Sequence, residues 1–281
     1  LVLHTAEFDG DNRWESGYPR WAGAHIPGSR HVDVGTMFSD TASPLHFTHP
    51  GIPSITAAAR TLGIRPGTPV VLYDSTGTIW SARLWYLLRW AGIPSQVLDG
   101  GWQAWVAAGG AIETGGAATT ALLASPPPDA GAVLTTPAPG AGERNAWIDL
   151  AELAGRDGSD PRPLVCALSP SAFAGTRPTR YSRRGSIPGS VNVPSASLLR
   201  EDGTLLPAGR LRQIFSEAGV PISGVPDDGS DAEEVLLYCG AGITASLDAL
   251  ALAVAGHSAV RIYDGSLEEW SAQPGLPVQA R

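Results

Sequence analysis

The strongest constraint on the fold is that the chain repeats itself. Three short motifs from the first half return in the same order, between 161 and 165 residues further on. Such spacing is the signature of a tandem duplication, which predicts two similar domains. The paired motifs are His25–Ser29 with Ser186–Ser190, Val70–Asp74 with Val235–Cys239, and Leu98–Trp102 with Tyr263–Leu267.

Length and composition agree with two domains. The chain has 281 residues, of which 43% are hydrophobic, so it can fill two cores of ordinary size. Residues 115–142 separate the copies and are rich in Ala, Gly, Pro and Thr, with three prolines in a row at Pro126–Pro128. That composition is typical of an extended linker. We therefore predict domains at residues 1–114 and 143–281, joined by a linker at 115–142.

Each copy alternates between strand and helix patterns. Short apolar runs at Val70–Tyr73 and Val235–Tyr238 predict buried strands, and Ser81–Ala91 and Thr244–Ala255 predict the helices that follow. Another short apolar run then ends at an Asp-Gly corner in each copy. A strand, helix and strand within about 30 residues form a βαβ unit. The sequence thus predicts an α/β fold with two tandem domains, each a small parallel sheet flanked by helices.

The charge and the cysteine count exclude several classes of function. The net charge of -8 disfavours nucleic acid as a partner. Two cysteines are too few for a disulfide framework, and the six histidines show no ligand spacing, so no metal site is predicted. The longest uncharged apolar run, 249–256, is too short to span a membrane, and no signal peptide is recognisable. We expect a cytoplasmic protein without membrane association.

The two cysteines occupy different sequence contexts. Cys239 follows a predicted buried strand and opens the segment Cys-Gly-Ala-Gly-Ile-Thr, which leads into a helix. The glycines permit a tight turn with inward-pointing N–H groups, and the helix N-terminus adds positive potential. These features favour a reactive thiolate. Cys166 lies in an apolar run with no such loop, which predicts a thiol in the core.

The segment Tyr238–Ala245, the two Ile-Pro-Gly motifs and the two Asp-Gly corners resemble the tandem rhodanese-domain sulfurtransferases. The resemblance implies an inactive first domain, with Asp74 at the cysteine position, and a catalytic second domain. It also implies that Cys239 takes a sulfur atom as a persulfide and passes it to a thiophilic acceptor. The persulfide anion would be held by the main-chain N–H groups of the loop, which are those of Gly240, Ala241, Gly242, Ile243 and Thr244. No cofactor is implied.

The loop also bears on the sulfur donor. Thiosulfate-using relatives tend to carry basic residues after the cysteine, whereas mercaptopyruvate-using relatives tend to carry Gly-Ser-Gly-Val-Thr. The uncharged loop of this chain is closer to the second type, which favours 3-mercaptopyruvate. The predicted partners are a small sulfur donor and an acceptor that is a thiol, cyanide or thioredoxin.

Positive charge is concentrated before the second Ile-Pro-Gly, where four arginines lie within eight residues. Arginine binds carboxylates in a bidentate manner. By the resemblance, Arg180 lies nearest the family's carboxylate-binding position, while Arg183 and Arg184 match a basic pair in relatives. Asp33 and His46 are candidate assisting residues from the first copy. A solvated basic loop, and a surface position for His46, are the alternative interpretations.

The chain also departs from the family pattern. Ala241 replaces the loop serine, Ala172 and Ser186 replace an arginine and a histidine, and Cys166–Leu168 replaces Asp-x-Arg. These departures leave two alternatives open: a thiosulfate:cyanide sulfurtransferase, and a weakly active or non-catalytic rhodanese-like binding module. A cysteine phosphatase would need an arginine six residues after the cysteine, where Ala245 stands, and is disfavoured.

Overall fold

The computed structural model describes residues 1–5, 7–8, 14–115, 133–134, 145–222 and 233–280. The chain divides into two compact units, and each takes one short segment from the opposite half of the sequence. Unit 1 comprises Leu1–Ala42, His49–Pro139 and Leu199–Leu205, and unit 2 comprises Ser43–Thr48, Gly140–Leu198 and Leu206–Arg281. The predicted domains, 1–114 and 143–281, assign both of these short segments to the other unit. Apart from 115 and 133–134, the predicted linker lies outside the described residues.

Unit 1 is built on a five-stranded sheet of order β4-β1-β5-β6-β7, in which only the last pair is antiparallel. A separate antiparallel pair is formed by β2 and β3. The strands are β1 (Val2–Thr5), β2 (Glu7–Phe8), β3 (Trp14–Glu15), β4 (Arg30–Val32), β5 (Val71–Tyr73), β6 (Gln96–Leu98) and β7 (Val133–Leu134). The helices are α1 (Tyr18–Gly23), α2 (Val34–Met37), α3 (Ile52–Thr61), α4 (Ile79–Trp90) and α5 (Gly101–Ala107).

Unit 2 is built on a second five-stranded sheet, of order β10-β9-β11-β12-β8, in which every pair is parallel. Its strands are β8 (Trp147–Ile148), β9 (Leu164–Cys166), β10 (Val191–Asn192), β11 (Val235–Tyr238) and β12 (Val260–Tyr263). Its helices are α6 (Leu150–Ala154), α7 (Pro170–Phe173), α8 (Ala208–Glu217), α9 (Ile243–Val254) and α10 (Ser266–Ala272), with a 3₁₀ helix at Ser195–Leu198.

The predicted α/β class and the two sheets flanked by helices are confirmed. The central strand of unit 2 occupies Val235–Tyr238 as predicted, and its helix α9 begins one residue before the predicted start. The fifth strand of unit 1 was not predicted, because Val133–Leu134 lies in the segment assigned to the linker. Within the described residues, no helix combines the length and the apolar character needed to cross a bilayer.

A tyrosine at the end of each central strand explains why the Ile-Pro-Gly-Ser motif occurs twice. In unit 1 the Tyr73 hydroxyl accepts the N–H of Ile26 at 3.2 Å and lies 2.9 Å from Ser29 Oγ. In unit 2 the Tyr238 hydroxyl accepts the N–H of Ile187 at 3.0 Å and lies 2.8 Å from Ser190 Oγ. Buried hydroxyls need such partners, so the strand and its motif were retained together in both copies.

Candidate active site

Cys239 is the first residue after β11, at the carboxyl end of the central strand of unit 2. Four residues, 239–242, connect this strand to α9. Gly242 ends the connection with a φ of +73°, a backbone conformation that glycine adopts without steric cost. Ligands of parallel α/β sheets bind at this end of the strands, where the helix N-terminus offers unpaired N–H groups. Cys239 is only 2% exposed, so the thiol is screened from bulk water.

A serine from the following Asp-Gly corner holds the loop in shape. Ser266 Oγ accepts the N–H groups of Cys239 and Gly242, both at 3.1 Å, and donates to the Tyr263 carbonyl at 2.8 Å. Ser266 has a φ of +50°, which is costly for a residue with a Cβ. The two hydrogen bonds that its side chain accepts offset this cost. The corner was recognised in the sequence only as a repeat landmark, so this role of Ser266 was missed.

Replacing Ser266 with alanine is expected to loosen the loop. The positive φ would remain, while two buried N–H groups would lose their acceptor, at a cost of about 1–3 kcal/mol each. We expect lower stability in urea and a sulfur-transfer rate about tenfold below that of the wild type. Ser266→Gly should relieve the φ but leave the same N–H groups unpaired. A Ser266→Ala protein with wild-type stability and rate would contradict the assigned role.

The loop N–H groups predicted to hold an anion are not equivalent. That of Gly242 already donates to Ser266 Oγ at 3.1 Å. The N–H groups of Gly240 and Ala241 make no hydrogen bond within the described part of the chain. Ile243 and Thr244 begin α9, where N–H groups have no partner inside a helix. Four of the five predicted donors therefore remain available.

The equivalent loop of unit 1 shows that this type of connection can bind a carboxyl group. There the Asp74 carboxyl group follows the central strand and accepts five hydrogen bonds, the longest of them from the Thr76 hydroxyl to Oδ1 at 3.4 Å. Its Oδ1 accepts the N–H of Thr76 at 2.8 Å and of Thr78 at 3.0 Å. Its Oδ2 accepts the N–H and hydroxyl of Ser81, at 2.8 and 2.9 Å. In the first copy, the N–H groups of the loop therefore bind the side chain of Asp74 itself.

Tyr181 is a second residue that the sequence did not reveal. A Cβ added to Gly240 would stand 1.6 Å from the Tyr181 hydroxyl oxygen, so the phenol packs directly on the loop backbone. Burial and the nearby Cys239 charge raise the pKa of Tyr181 above its ordinary value. A neutral phenol is a hydrogen-bond donor. The structure thus brings a hydroxyl to a loop in which Ala241 lacks one.

The predicted arginines have separate positions. The guanidinium carbon of Arg180 lies 5.7 Å from the centre of the Tyr181 ring, which places this cation beside the loop. Arg183 donates to four main-chain carbonyl oxygens at the end of α10 and beyond, those of Trp270, Ser271, Gln273 and Leu276. These hydrogen bonds tie the Arg183 side chain to the chain that follows α10, and its predicted role in donor binding stays a prediction. Arg184 is exposed.

The two candidate assisting residues also separate. His46 belongs to the short segment that clusters with unit 2, and its Nδ1 lies 2.5 Å from Glu268 Oε1. The Glu268 N–H in turn donates to the Gly240 carbonyl at 3.0 Å, so His46 reaches the Cys239 loop through one residue. Asp33 belongs to unit 1, where its carboxyl group caps α2 by accepting the N–H of Thr36 at 3.2 Å.

Cys166 is the predicted core thiol. It is fully buried in a hydrophobic cluster of unit 2, and burial raises the pKa of its thiol to about 12. The other departures from the family pattern are structural as well. Ala172 and Ala241 are buried, and Ser186 pairs through its backbone with Gln279. Among the described residues, no group of three metal-binding side chains is close enough to hold an ion.

Fold and loop together define a duplicated α/β protein with a screened cysteine in the short loop between a central strand and a helix. The sequence model of the Rhodanese-like domain matches residues 9–108 and 175–273. The chain therefore belongs to the rhodanese family, and it is a sulfurtransferase of the thiosulfate/3-mercaptopyruvate type.

Named relatives and solved structures support this assignment. The chain is 35% identical over 276 residues to SseB of Mycobacterium tuberculosis, which bears a thiosulfate sulfurtransferase name, covering 95% of this chain and 89% of SseB. It is 30% identical over 261 residues to the 3-mercaptopyruvate sulfurtransferase of Escherichia coli K12, covering 91% and 83%.

Two solved structures share the fold. SseA from Escherichia coli matches with a TM-score of 0.73 at 24% identity, over 94% of this chain and 91% of SseA. EanB in complex with ergothioneine matches with a TM-score of 0.77 at 22% identity, over all of this chain. The chain spans 64% of the length of EanB. At these identities the likeness concerns the fold alone.

Proposed function

We propose that the protein takes sulfur from 3-mercaptopyruvate onto Cys239 and passes it to a thiophilic acceptor. The observation that carries the proposal is the pairing of an uncharged loop with one adjacent cation. Residues 240–244 contain no charged side chain, and Arg180 lies against Tyr181, which contacts Gly240. This set suits a donor with one carboxylate and a neutral reacting end, since arginine binds carboxylates well.

The proposed first half-reaction balances without a cofactor. The Cys239 thiolate attacks the thiol sulfur of the donor, and the carbon–sulfur bond breaks with its electron pair going to carbon. The proton of the donor thiol ends on that carbon, which gives pyruvate. The persulfide anion stays on Cys239, held by the loop N–H groups. An acceptor then attacks the outer sulfur, and the sulfur–sulfur bond breaks to return the thiolate.

Thiosulfate is the second candidate donor, because SseB, at 35% identity, carries that name. Its dianion would leave sulfite after the same attack. Nothing charged in the loop would meet that anion, so this reaction would depend on the N–H groups and Arg180. We propose a thiol, cyanide or thioredoxin as the acceptor on the family resemblance, with His46, which acts through Glu268, and Asp33 as assisting residues.

The proposal is tested by steady-state sulfur transfer to cyanide, measured as thiocyanate, with each donor in turn. We expect kcat/KM for 3-mercaptopyruvate to exceed that for thiosulfate at least tenfold. A preference for thiosulfate would contradict the proposed donor while keeping the reaction class. A folded protein that transfers sulfur from neither donor, although Cys239 still alkylates, would support the binding-module alternative.

Replacing Arg180 with glutamine is expected to raise KM for 3-mercaptopyruvate about tenfold, with a smaller change in kcat. A charge-assisted hydrogen bond to a bound carboxylate contributes about 1.5 kcal/mol, which corresponds to about a tenfold change in affinity. Arg184→Gln removes an exposed arginine four residues away and serves as the matched control. Equal KM values for Arg180→Gln and the wild type would contradict the role of Arg180.

A further inference from the structure

Asp248 is a carboxyl group without a structural explanation. It lies on α9, the helix that follows the Cys239 loop, and its side chain is 0% exposed. Neither of its oxygens has a hydrogen-bond partner within the described part of the chain. Burying a polar group without partners costs free energy, so a helix selected only for packing would carry an apolar residue at this position.

The duplication provides that comparison. Helices α4 and α9 each have 12 residues and each follow the central strand of their sheet. Asp248 is the sixth residue of α9, and the sixth residue of α4 is Leu84, which is also 0% exposed. The same core position therefore holds leucine in the copy with Asp74 and an unpaired acid in the copy with Cys239. This difference connects the acid to the cysteine chemistry.

A second unpaired polar atom lies one helical turn nearer the loop. Thr244 precedes Asp248 by four residues, so the two side chains share one face of α9. Helical side chains lean toward the N-terminus, which directs the Asp248 carboxyl group toward Thr244 and the loop. The Thr244 hydroxyl oxygen is buried and likewise has no partner in the described structure. Two unpaired groups thus lie one helical turn apart on the helix that follows Cys239.

The charged surroundings of Asp248 favour its neutral form. Burial and the charge of the Cys239 thiolate raise the pKa of Asp248 well above its usual value, and no cation of the described residues lowers it. The Cys166 thiol on β9 also interacts with the carboxyl group. The arginines on α8 and β12, which pack against α9, have other partners. Arg212 of α8 donates to the Ala255 carbonyl, and Arg210 of the same helix pairs with Glu217. Arg261 of β12 donates to Glu152 and to the Trp147 carbonyl.

We propose that Asp248 is a positioning residue for sulfur transfer. As a neutral acid it donates a hydrogen bond to the Thr244 hydroxyl oxygen. The Thr244 hydroxyl in turn donates a hydrogen bond to the anionic sulfur on Cys239. The proposal rests on the proposed function and adds Asp248 as the residue that positions Thr244 against the anionic sulfur on Cys239. A buried carboxylic acid kept neutral is a strong donor. Both unpaired groups then gain partners when sulfur carries charge, which explains why they lack partners in the resting structure.

The test measures the ionisation of Cys239 with no sulfur donor present. The rate of alkylation by iodoacetamide is followed from pH 5 to pH 10 in a Cys166→Ala background, so that only Cys239 reacts. We expect Asp248→Leu to move the inflection upward by about one pH unit, which makes alkylation near pH 7 about tenfold slower. Asp248→Asn keeps the size and an N–H donor, and its rate should stay within about threefold of the parent.

Thr244→Val supplies an independent variant of nearly unchanged volume. It should reproduce the shift of Asp248→Leu, and the double variant should add little, because both act through one path. A profile that is unchanged or shifted downward in folded Asp248→Leu, or in Thr244→Val should the leucine variant not fold, would overturn the proposal. A shift as expected in a protein that transfers no sulfur would instead count against the proposed function alone.

Discussion

Replacing Cys239 with serine is expected to lower the rate of sulfur transfer at least about a thousandfold with either donor. A serine hydroxyl stays protonated at neutral pH and its oxygen cannot carry the transferred sulfur as a persulfide, so the covalent path is lost. The loop should survive, because the N–H of residue 239 would still donate to Ser266 Oγ, a bond that does not depend on the side chain. Thiocyanate formation, with thermal unfolding measured alongside, checks both expectations.

Cys166 supplies the matched control for this experiment. Its thiol is fully buried in the apolar cluster of unit 2, where the raised pKa keeps it protonated. Cys166→Ala should keep a sulfur-transfer rate within about threefold of the wild type and lose a modest part of the stability. Residual activity of Cys239→Ser within tenfold of the wild type, or loss of activity in folded Cys166→Ala, would show that the nucleophile has been misassigned.

Replacing Asp74 with alanine is expected to destabilise unit 1 by about 3 kcal/mol or more. The carboxyl group is 0% exposed and accepts the N–H groups of Thr76, Thr78 and Ser81. Alanine would leave three buried donors without partners, at about 1–3 kcal/mol each. The free energy of unfolding in urea measures the loss. Asp74→Asn retains one acceptor oxygen and should lie between alanine and the wild type.

Asp33 is the control for Asp74, since its carboxyl group also accepts main-chain N–H donation but lies at a helix N-terminus near solvent. Asp33→Ala should cost about 1 kcal/mol, the ordinary value for a lost helix cap. Equal losses of unfolding free energy in Asp33→Ala and Asp74→Ala would contradict the role of the Asp74 carboxyl group as the acceptor of the loop N–H groups.

The fold was predictable because its signals are local. The short apolar run at Val235–Tyr238 favours a buried strand, and the glycines after Cys239 permit a tight connection to the helix. Because the chain is duplicated, the strand and helix patterns of one copy could be checked against those of the other. The position of Cys239 between the central strand and a helix could therefore be predicted from residue order alone.

The residues that complete the site depend on contacts that no local pattern encodes. Arg183 resembled its neighbour Arg180 in the sequence, yet its guanidinium binds carbonyl groups 87 to 93 residues further along the chain. Tyr181 and Ser266 looked like ordinary loop residues until the structure placed them against the Cys239 loop. Asp248 could have been noticed as an acid within an apolar helix, which is the one sequence signal that was available.

The exchange of short segments between the two units has a consequence for dissecting the protein. A single break in residues 115–142 would not release two complete halves, because Ser43–Thr48 would stay with the first fragment and Leu199–Leu205 with the second. The C-terminal fragment would keep Cys239 but lose His46, and Glu268 would lose the hydrogen bonds that it makes with His46. The N-terminal fragment would lose the acceptor–donor pair of Asp99 and Leu205. A single cut between the two repeats therefore cannot produce two fragments that each contain a complete unit.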